Sequence, residues 1–324
     1  MTIELSYERF DNEDDIVPRH SGEEVIRNTG VAKTLYGNDR ITGVGPGRRS
    51  SISDSGIYNS GTIEMDRGDD MITGTYDATE HSLHNANYVP RPNNGRSPYR
   101  DDRGNFYYYA PDPNESIPLP LYNYGIKNSG TIDTGDGNDT ITGSNTTEGG
   151  YLTLDPWGSV GIIRDSVAIV NGGTINTRIG NDSIISNGKL VNYGEVSLES
   201  GNDTITTYGV IYNDGKIDTG NGNDSIIAYG GFESGLNNSG RVLLGLDEDT
   251  LYGFGSGDFN GEGGVDTLEL TFGSYIVVGK VGAEVSFTNG GGSVMKTSNF
   301  EILKAGSDIY DFNSLMVGDT INAW

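Results

Sequence analysis

Cysteine is absent from the 324 residues of this chain. No disulfide can staple it, and no thiolate can hold a metal. Histidine is scarce, at three residues, so no Ser/His/Asp arrangement can be argued. Basic residues are few: 21 Lys and Arg face 46 Asp and Glu, a formal net charge of -25. A phosphate backbone needs a basic surface, so nucleic acid is disfavoured as a partner, as are anionic membranes. No apolar run approaches the length of a membrane span. The opening stretch MTIELSYERFDNEDD has neither a basic n-region nor an apolar h-region and is not read as a secretory signal. Helical periodicity is missing as well, because glycines break every candidate.

What the chain has in abundance is glycine, 50 residues without the three-residue period of collagen. Much of it sits in a repeat. TGNGNDSII at 219 returns as TGDGNDTIT at 134, ESGNDTIT at 199, RIGNDSII at 178, DRGDDMIT at 66 and YGNDRIT at 36. Six units align without a gap on Asn59, Asn128, Asn171, Asn192, Asn213 and Asn238. The steps are 69, 43, 21, 21 and 25, so the smallest unit is 21 residues. Each unit carries three apolar positions in short alternating runs, separated by the turn formers Gly, Asn and Asp. That pattern predicts an all-β, three-sided parallel β-solenoid with one unit per coil.

The lengths beyond one unit, 48, 22 and 4 residues, all read as insertions after the third strand, which would project them from one edge. The expected organisation is an N-terminal cap over 1–36 and a solenoid over 37–255. Insertions fall at 44–55, 75–124 and 144–167, and a β-rich C-terminal cap covers 256–324.

In a parallel stack Asp70, Asp139, Asp182, Asp203, Asp224 and Asp249 form a column. Neighbouring carboxylates about 5 Å apart repel by roughly 3–4 kcal/mol at an effective dielectric of 20. A cation between them would relieve this. Gly137, Gly201 and Gly222, two residues before their Asp, allow carbonyl oxygens to join the carboxylates. Hard oxygen ligands of that kind suit Ca²⁺ better than Mg²⁺, which demands a stricter octahedron. The bland alternative is an Asp that bonds its own turn backbone. The last loop departs from the pattern, with Asp247 where the others have Gly. The Asn column is read as structural, since stacked amides can bond to each other.

TGDGNDTI and TGNGNDSI resemble the glycine- and aspartate-rich nonapeptides of RTX, or haemolysin-type, calcium-binding proteins, as do GGVDTLEL at 263 and SNFEIL at 298 for the segments near the ends of such chains. The resemblance implies calcium held in the turns. It also implies export by type I secretion through an uncleaved C-terminal signal, with YDFNSLMVGDTINAW as the candidate, and so an extracellular or cell-surface location. Two departures stand out: Thr134 and Thr219 replace the first Gly, and one such loop recurs per coil where the family has two half-turns.

The long insertion is different in kind. It holds eight of the 19 tyrosines and seven of the 10 prolines. Tyr88, Arg91, Arg96, Tyr99, Arg100, Arg103, Tyr107, Tyr108 and Tyr109 are candidate recognition residues for a glycan or a surface protein. A plain lid along the solenoid edge is the alternative. His81 and His84, three apart, lack further ligands nearby.

The first functional expectation is a secreted, calcium-binding surface, matrix or adhesive protein, with self-association through an open end allowed. A second, from another class, is a parallel β-helix enzyme acting on an acidic polysaccharide, which rests on fold-level analogy. An ice-binding face would need a regular Thr array. The outward position before the second apolar ladder reads Thr62, Thr131, Thr174, Glu195, Lys216, Arg241, and that irregularity argues against it.

Overall fold

A computed structural model describes residues 2–8, 10–18, 25–45, 55–76, 99–100, 106–107, 124–145, 150–154, 160–164, 167–235 and 240–324. Three long sheets of eight, twelve and eleven strands run side by side. Each coil from 25 to 252 contributes one strand to each. One coil is Ile126–Asn128, Thr131–Asp133 and Thr140–Asn145. Its strands pair in parallel with Ile57–Asn59, Thr62–Glu64 and Met71–Tyr76 on one side. On the other side they pair with Val167–Asn171, Thr174–Asn176 and Ser183–Asn187. The protein is a parallel β-solenoid.

The register follows from the inward apolar positions. Ile126 stands opposite Ile57 and Ile169, Ile132 opposite Ile63 and Ile175, and Ile141 opposite Ile72 and Ile184. All are 0–1 % exposed. A slip of one residue would turn each strand's isoleucine outward and forfeit about 1.5–3 kcal/mol per side chain. β-branched side chains suit these short strands, whose neighbours repeat the same shape one coil away.

The stacking reaches further in both directions than the six aligned units, and VIRNTGVAKTLYGNDRI, 25–41, is a further copy of the unit in the same frame. Val25–Asn28, Val31–Lys33 and Arg40–Gly45 already form a complete coil, so the boundary at 36 cuts through it. Thr2–Glu4 and Ile16–Val17 add a partial coil before it. Past residue 255, Gly257–Asn260 and Thr267–Leu270 continue the second and third sheets in parallel, and Val294–Ser298 and Ile302–Ala305 continue them again. Aromatic rungs replace the isoleucines here: Phe232 and Phe259 meet at 4.8 Å between ring centroids. Antiparallel strands then close this end, Gly273–Val281, Glu284–Thr288, Asp308–Asp311 and Thr320–Ala323.

The sixth unit is set differently from its alignment. Leu236 and Asn238 lie outside the described residues. Phe232 stands opposite Ile211, a step of 21, whereas Val242 stands opposite Ile217, a step of 25. The four extra residues therefore fall between the first and second strands, not at the corner used by the longer insertions. The buried Phe232 ring, held by Phe259, supplies the apolar rung that Leu236 was expected to fill.

Within the insertions, Tyr99–Arg100 pairs antiparallel with Phe106–Tyr107, and Gly150–Leu154 with Val160–Arg164.

Candidate metal column

The Gly-Asn-Asp turns link the second sheet to the third, and their Asp side chains share the inward face with the isoleucine two residues later. Asp70, Asp139, Asp182, Asp203, Asp224 and Asp249 are each 1–2 % exposed. The column is longer than these six. Asp39 and Asp266, 1 % and 0 % exposed, extend it at either end. Their signals were readable in YGNDRIT and GGVDTLEL.

Each carboxyl is used in the same way. The N–H of Asp39 donates to Oδ1 of Asp70, that of Asp70 to Asp139, and the chain of bonds runs on through Asp182, Asp203, Asp224, Asp249 and Asp266 at 2.7–3.0 Å. Asp15 opens it by donating to Asp39, and Asp266 closes it by donating to Glu301. Oδ1 thus satisfies a turn N–H that has no strand partner. The bland reading of these residues as turn formers is correct to this extent, but the bond crosses to the neighbouring coil.

The second oxygen is different. Oδ2 of Asp39, Asp70, Asp139, Asp182, Asp203, Asp224, Asp249 and Asp266 is buried and accepts nothing. An ionised carboxylate with one orphaned oxygen in an apolar corner is expensive. The titration of the group registers it. Burial pushes Asp139 and Asp249 up to about 8, Asp70 and Asp203 up to about 7, and Asp224 and Asp266 up to about 6. Asp39 and Asp182 are raised for the same reason. In four coils a buried hydroxyl stands beside the carboxyl and partly offsets burial: Thr34, Thr134, Thr177 or Thr219. None closes a hydrogen bond of good geometry to Oδ2. Elsewhere Met65, Leu198 and Leu244, all 0 % exposed, fill the equivalent place. Thr134 and Thr219 are therefore inward polar rungs.

The glycines two residues before each Asp are fixed by the stack. A Cβ on Gly137 would lie 1.6 Å from the Gly68 carbonyl oxygen, and one on Gly201 would lie 1.4 Å from that of Gly180. Among the described residues no backbone N–H donates to the carbonyls of Gly68, Gly137, Gly180, Gly201 or Gly222. In the departing loop, Asp247 takes the same place with φ 87°, and Asp249 still accepts from the N–H of Asp224.

In kind, this donor set fits a hard divalent cation: orphaned carboxylate oxygens, uncommitted carbonyls and, in four coils, a hydroxyl. In number, each interval between coils offers two carboxylates, and no group of three or more Asp, Glu or His converges among the described residues. Carbonyl and hydroxyl oxygens would have to complete the six to eight ligands of Ca²⁺.

Two further side-chain ladders flank the column. From Asn38 to Asn223 the residue before the Asp accepts in the opposite sense: the N–H of Asn181 donates to Oδ1 of Asn138, and that of Asn202 to Asn181. At another corner Nδ2 of Asn28, Asn59, Asn128, Asn171 and Asn192 each donates to the next Asn Oδ1 at 2.8–2.9 Å. This amide column is structural, as expected, and it begins one coil earlier, at Asn28, whose own Oδ1 is left without a donor.

Of the candidate recognition residues, Tyr88, Arg91, Arg96, Arg103, Tyr108 and Tyr109 lie outside the described residues, as do His81 and His84. Backbone pairing sets Tyr99 opposite Tyr107 and Arg100 opposite Phe106. Among the described residues no helix is long and apolar enough to cross a membrane.

No family model, no curated protein and no solved structure matches the chain.

Proposed function

We propose that this protein is a calcium-loaded β-solenoid that serves as an extracellular surface, matrix or adhesive component. One observation carries the reading: eight buried aspartates in register, each with one oxygen spent on a neighbouring N–H and one left without a partner. Repetition of one uncompensated carboxylate oxygen through eight coils calls for a countercharge that is itself repeated. A divalent cation between coils supplies it. The resemblance of the turns to RTX repeats and the net charge of -25 support the same reading. Sites completed by carbonyls and hydroxyls bind calcium weakly, in the range available outside cells. The rigid stack would then carry the Tyr- and Arg-rich insertion as a recognition element.

Calcium that binds the folded chain and not the unfolded one raises stability by mass action. Thermal melts and isothermal titration test this. The expected result is a higher melting temperature in millimolar calcium than in EDTA, with heats that saturate. Superimposable melts and no heat would remove calcium from the account. Replacing residues 78–121 by a short Gly/Ser linker, followed by glycan-array binding, tests the recognition role separately. Retained folding with lost binding is expected. Unchanged binding would move recognition elsewhere on the solenoid.

A further inference from the structure

The outer face of the third sheet has a composition unlike the rest of the molecule. Its strands in six successive coils read MITGTY, TITGSN, SIISN, TITT, SIIA and TLY, with no Asp, Glu, Lys or Arg among them. In the same coils five of the six strands of the second sheet carry charge: TIE, TID, TIN, EVS, KID and RVL. A charge-free strip this long, on a chain of net charge -25, is a chemical feature of that face alone.

The strip is ordered in two directions. Strand pairing places Thr140, Ser183, Thr204, Ser225 and Thr250 in one outward column. It places Thr142, Ile185, Thr206 and Ile227 in a second. Neighbouring rungs are about 4.8 Å apart, and the two columns lie about 6.6 Å apart along the strand. These side chains are half-exposed. Among the described residues, the hydroxyls of Thr140, Thr142, Ser183, Thr204, Thr206 and Ser225 make no hydrogen bond, although Arg40 and Asn187 do bond to other hydroxyls of the same sheet, Thr42 and Ser144. Each free hydroxyl can donate one bond and accept two. The threonine methyls, with Ile185 and Ile227, lie between them.

We propose that this face binds a linear neutral polysaccharide laid along the solenoid axis. The occupant follows from three properties. Zero charge on the strip gives an ionic partner nothing to pair with, while the acidic remainder of the chain repels polyanions and draws cations elsewhere. Rows of free hydroxyls match a polymer that is itself hydroxylated, and the methyl rows match the C–H faces of its sugar rings. One coil rise is close to the length of one pyranose unit in an extended chain, so each sugar meets the same pair of columns. This face is separate from the aspartate column, whose carboxyls are buried on the inward side.

The test is depletion binding of the full chain, in calcium, to microcrystalline cellulose and to chitin, with affinity electrophoresis in soluble linear β-glucan. Retention by at least one of these is expected. Thr204→Lys and Thr142→Glu, outward changes that should leave the melting temperature unaltered, should weaken it about tenfold or more. Thr206→Val, which keeps the shape and removes the hydroxyl, should weaken it less. Thr131→Glu on the second sheet should leave it intact. The proposal is overturned if none of the polymers retains the wild type. It is equally overturned if the folded face variants bind as well as wild type, if the face proves to be a dimer contact that Thr204→Lys dissolves in sedimentation, or if the chain adsorbs to ice and to no glycan.

Discussion

The amide N–H of Asp182 donates to Oδ1 of Asp203 at 2.7 Å, and the other oxygen of the same carboxyl accepts nothing. One side chain therefore has two separable duties. Oδ1 completes the backbone of the preceding coil. Oδ2 carries the charge that needs a counterion or a proton.

Substitution at Asp203 should separate them. Asp203→Asn keeps an acceptor for the Asp182 N–H and removes the buried charge, so in EDTA near pH 8 it should be at least as stable as wild type. In calcium it should be less stable, because an ion ligand is gone. Asp203→Ala should lose about 1–3 kcal/mol in both conditions, since it leaves that buried N–H unpaired. Denaturant melts of the three proteins, with and without calcium, decide the matter. If Asn and Ala behave alike, the Oδ1 bond is of no consequence.

Stability without calcium should fall as pH rises. Burial raises Asp139 and Asp249 to about 8 and Asp70 and Asp203 to about 7, against about 3.9 for an unfolded Asp. Between those limits the folded chain holds more protons than the unfolded one, so raising the pH favours unfolding. The contribution is complete below about pH 4 and gone above about pH 8. In EDTA the melting temperature should drop from pH 5 to pH 8.5, by roughly 2–4 °C for each kcal/mol lost. Millimolar calcium should flatten the drop by taking over the countercharge. A melting temperature in EDTA that climbs over this interval would contradict the raised carboxyls.

Glycine substitutions should split into two groups. Gly201→Ala puts a methyl 1.4 Å from the Gly180 carbonyl oxygen at φ 140° and forces two coils apart. Its loss should exceed about 4 kcal/mol, at the upper end for single changes. Gly282→Ala has the left-handed φ of 60° but open space around it. It should lose only about 1 kcal/mol, the strain of the backbone alone. Comparable losses at both would mean that the close coil contact is absent in solution.

The apolar rungs should behave as a column. Ile205 and Ile226 are opposite each other and fully buried. Ile205→Ala or Ile226→Ala should destabilise by about 2–5 kcal/mol. Thr206→Ala, one residue along and facing outward, should stay within about 0.5 kcal/mol. Urea melts giving equal losses at Ile205 and Thr206 would invert the strand facing.

Sequence alone determined the solenoid, its coil length, the three inward positions and the aspartate and asparagine columns. Each coil repeats the same short-range pattern, and a parallel stack converts period in the chain directly into neighbours in space. Where the period broke, sequence lost its hold. Phe232, four residues before the Leu236 of the alignment, stands opposite Ile211 and packs against Phe259. Asp39 sits in VIRNTGVAKTLYGNDRI, 25–41, which aligns without a gap to the six units, so its place in the column was readable in the chain; Asp266 joined the column although its flanking strands lack the full repeat. Only tertiary structure decided how each carboxyl divides its two oxygens, because the N–H that Asp203 accepts belongs to a residue 21 positions earlier. The charge-free outer face was likewise invisible along the chain. Its hydroxyls come from six separate strands, and only stacking brings them into columns.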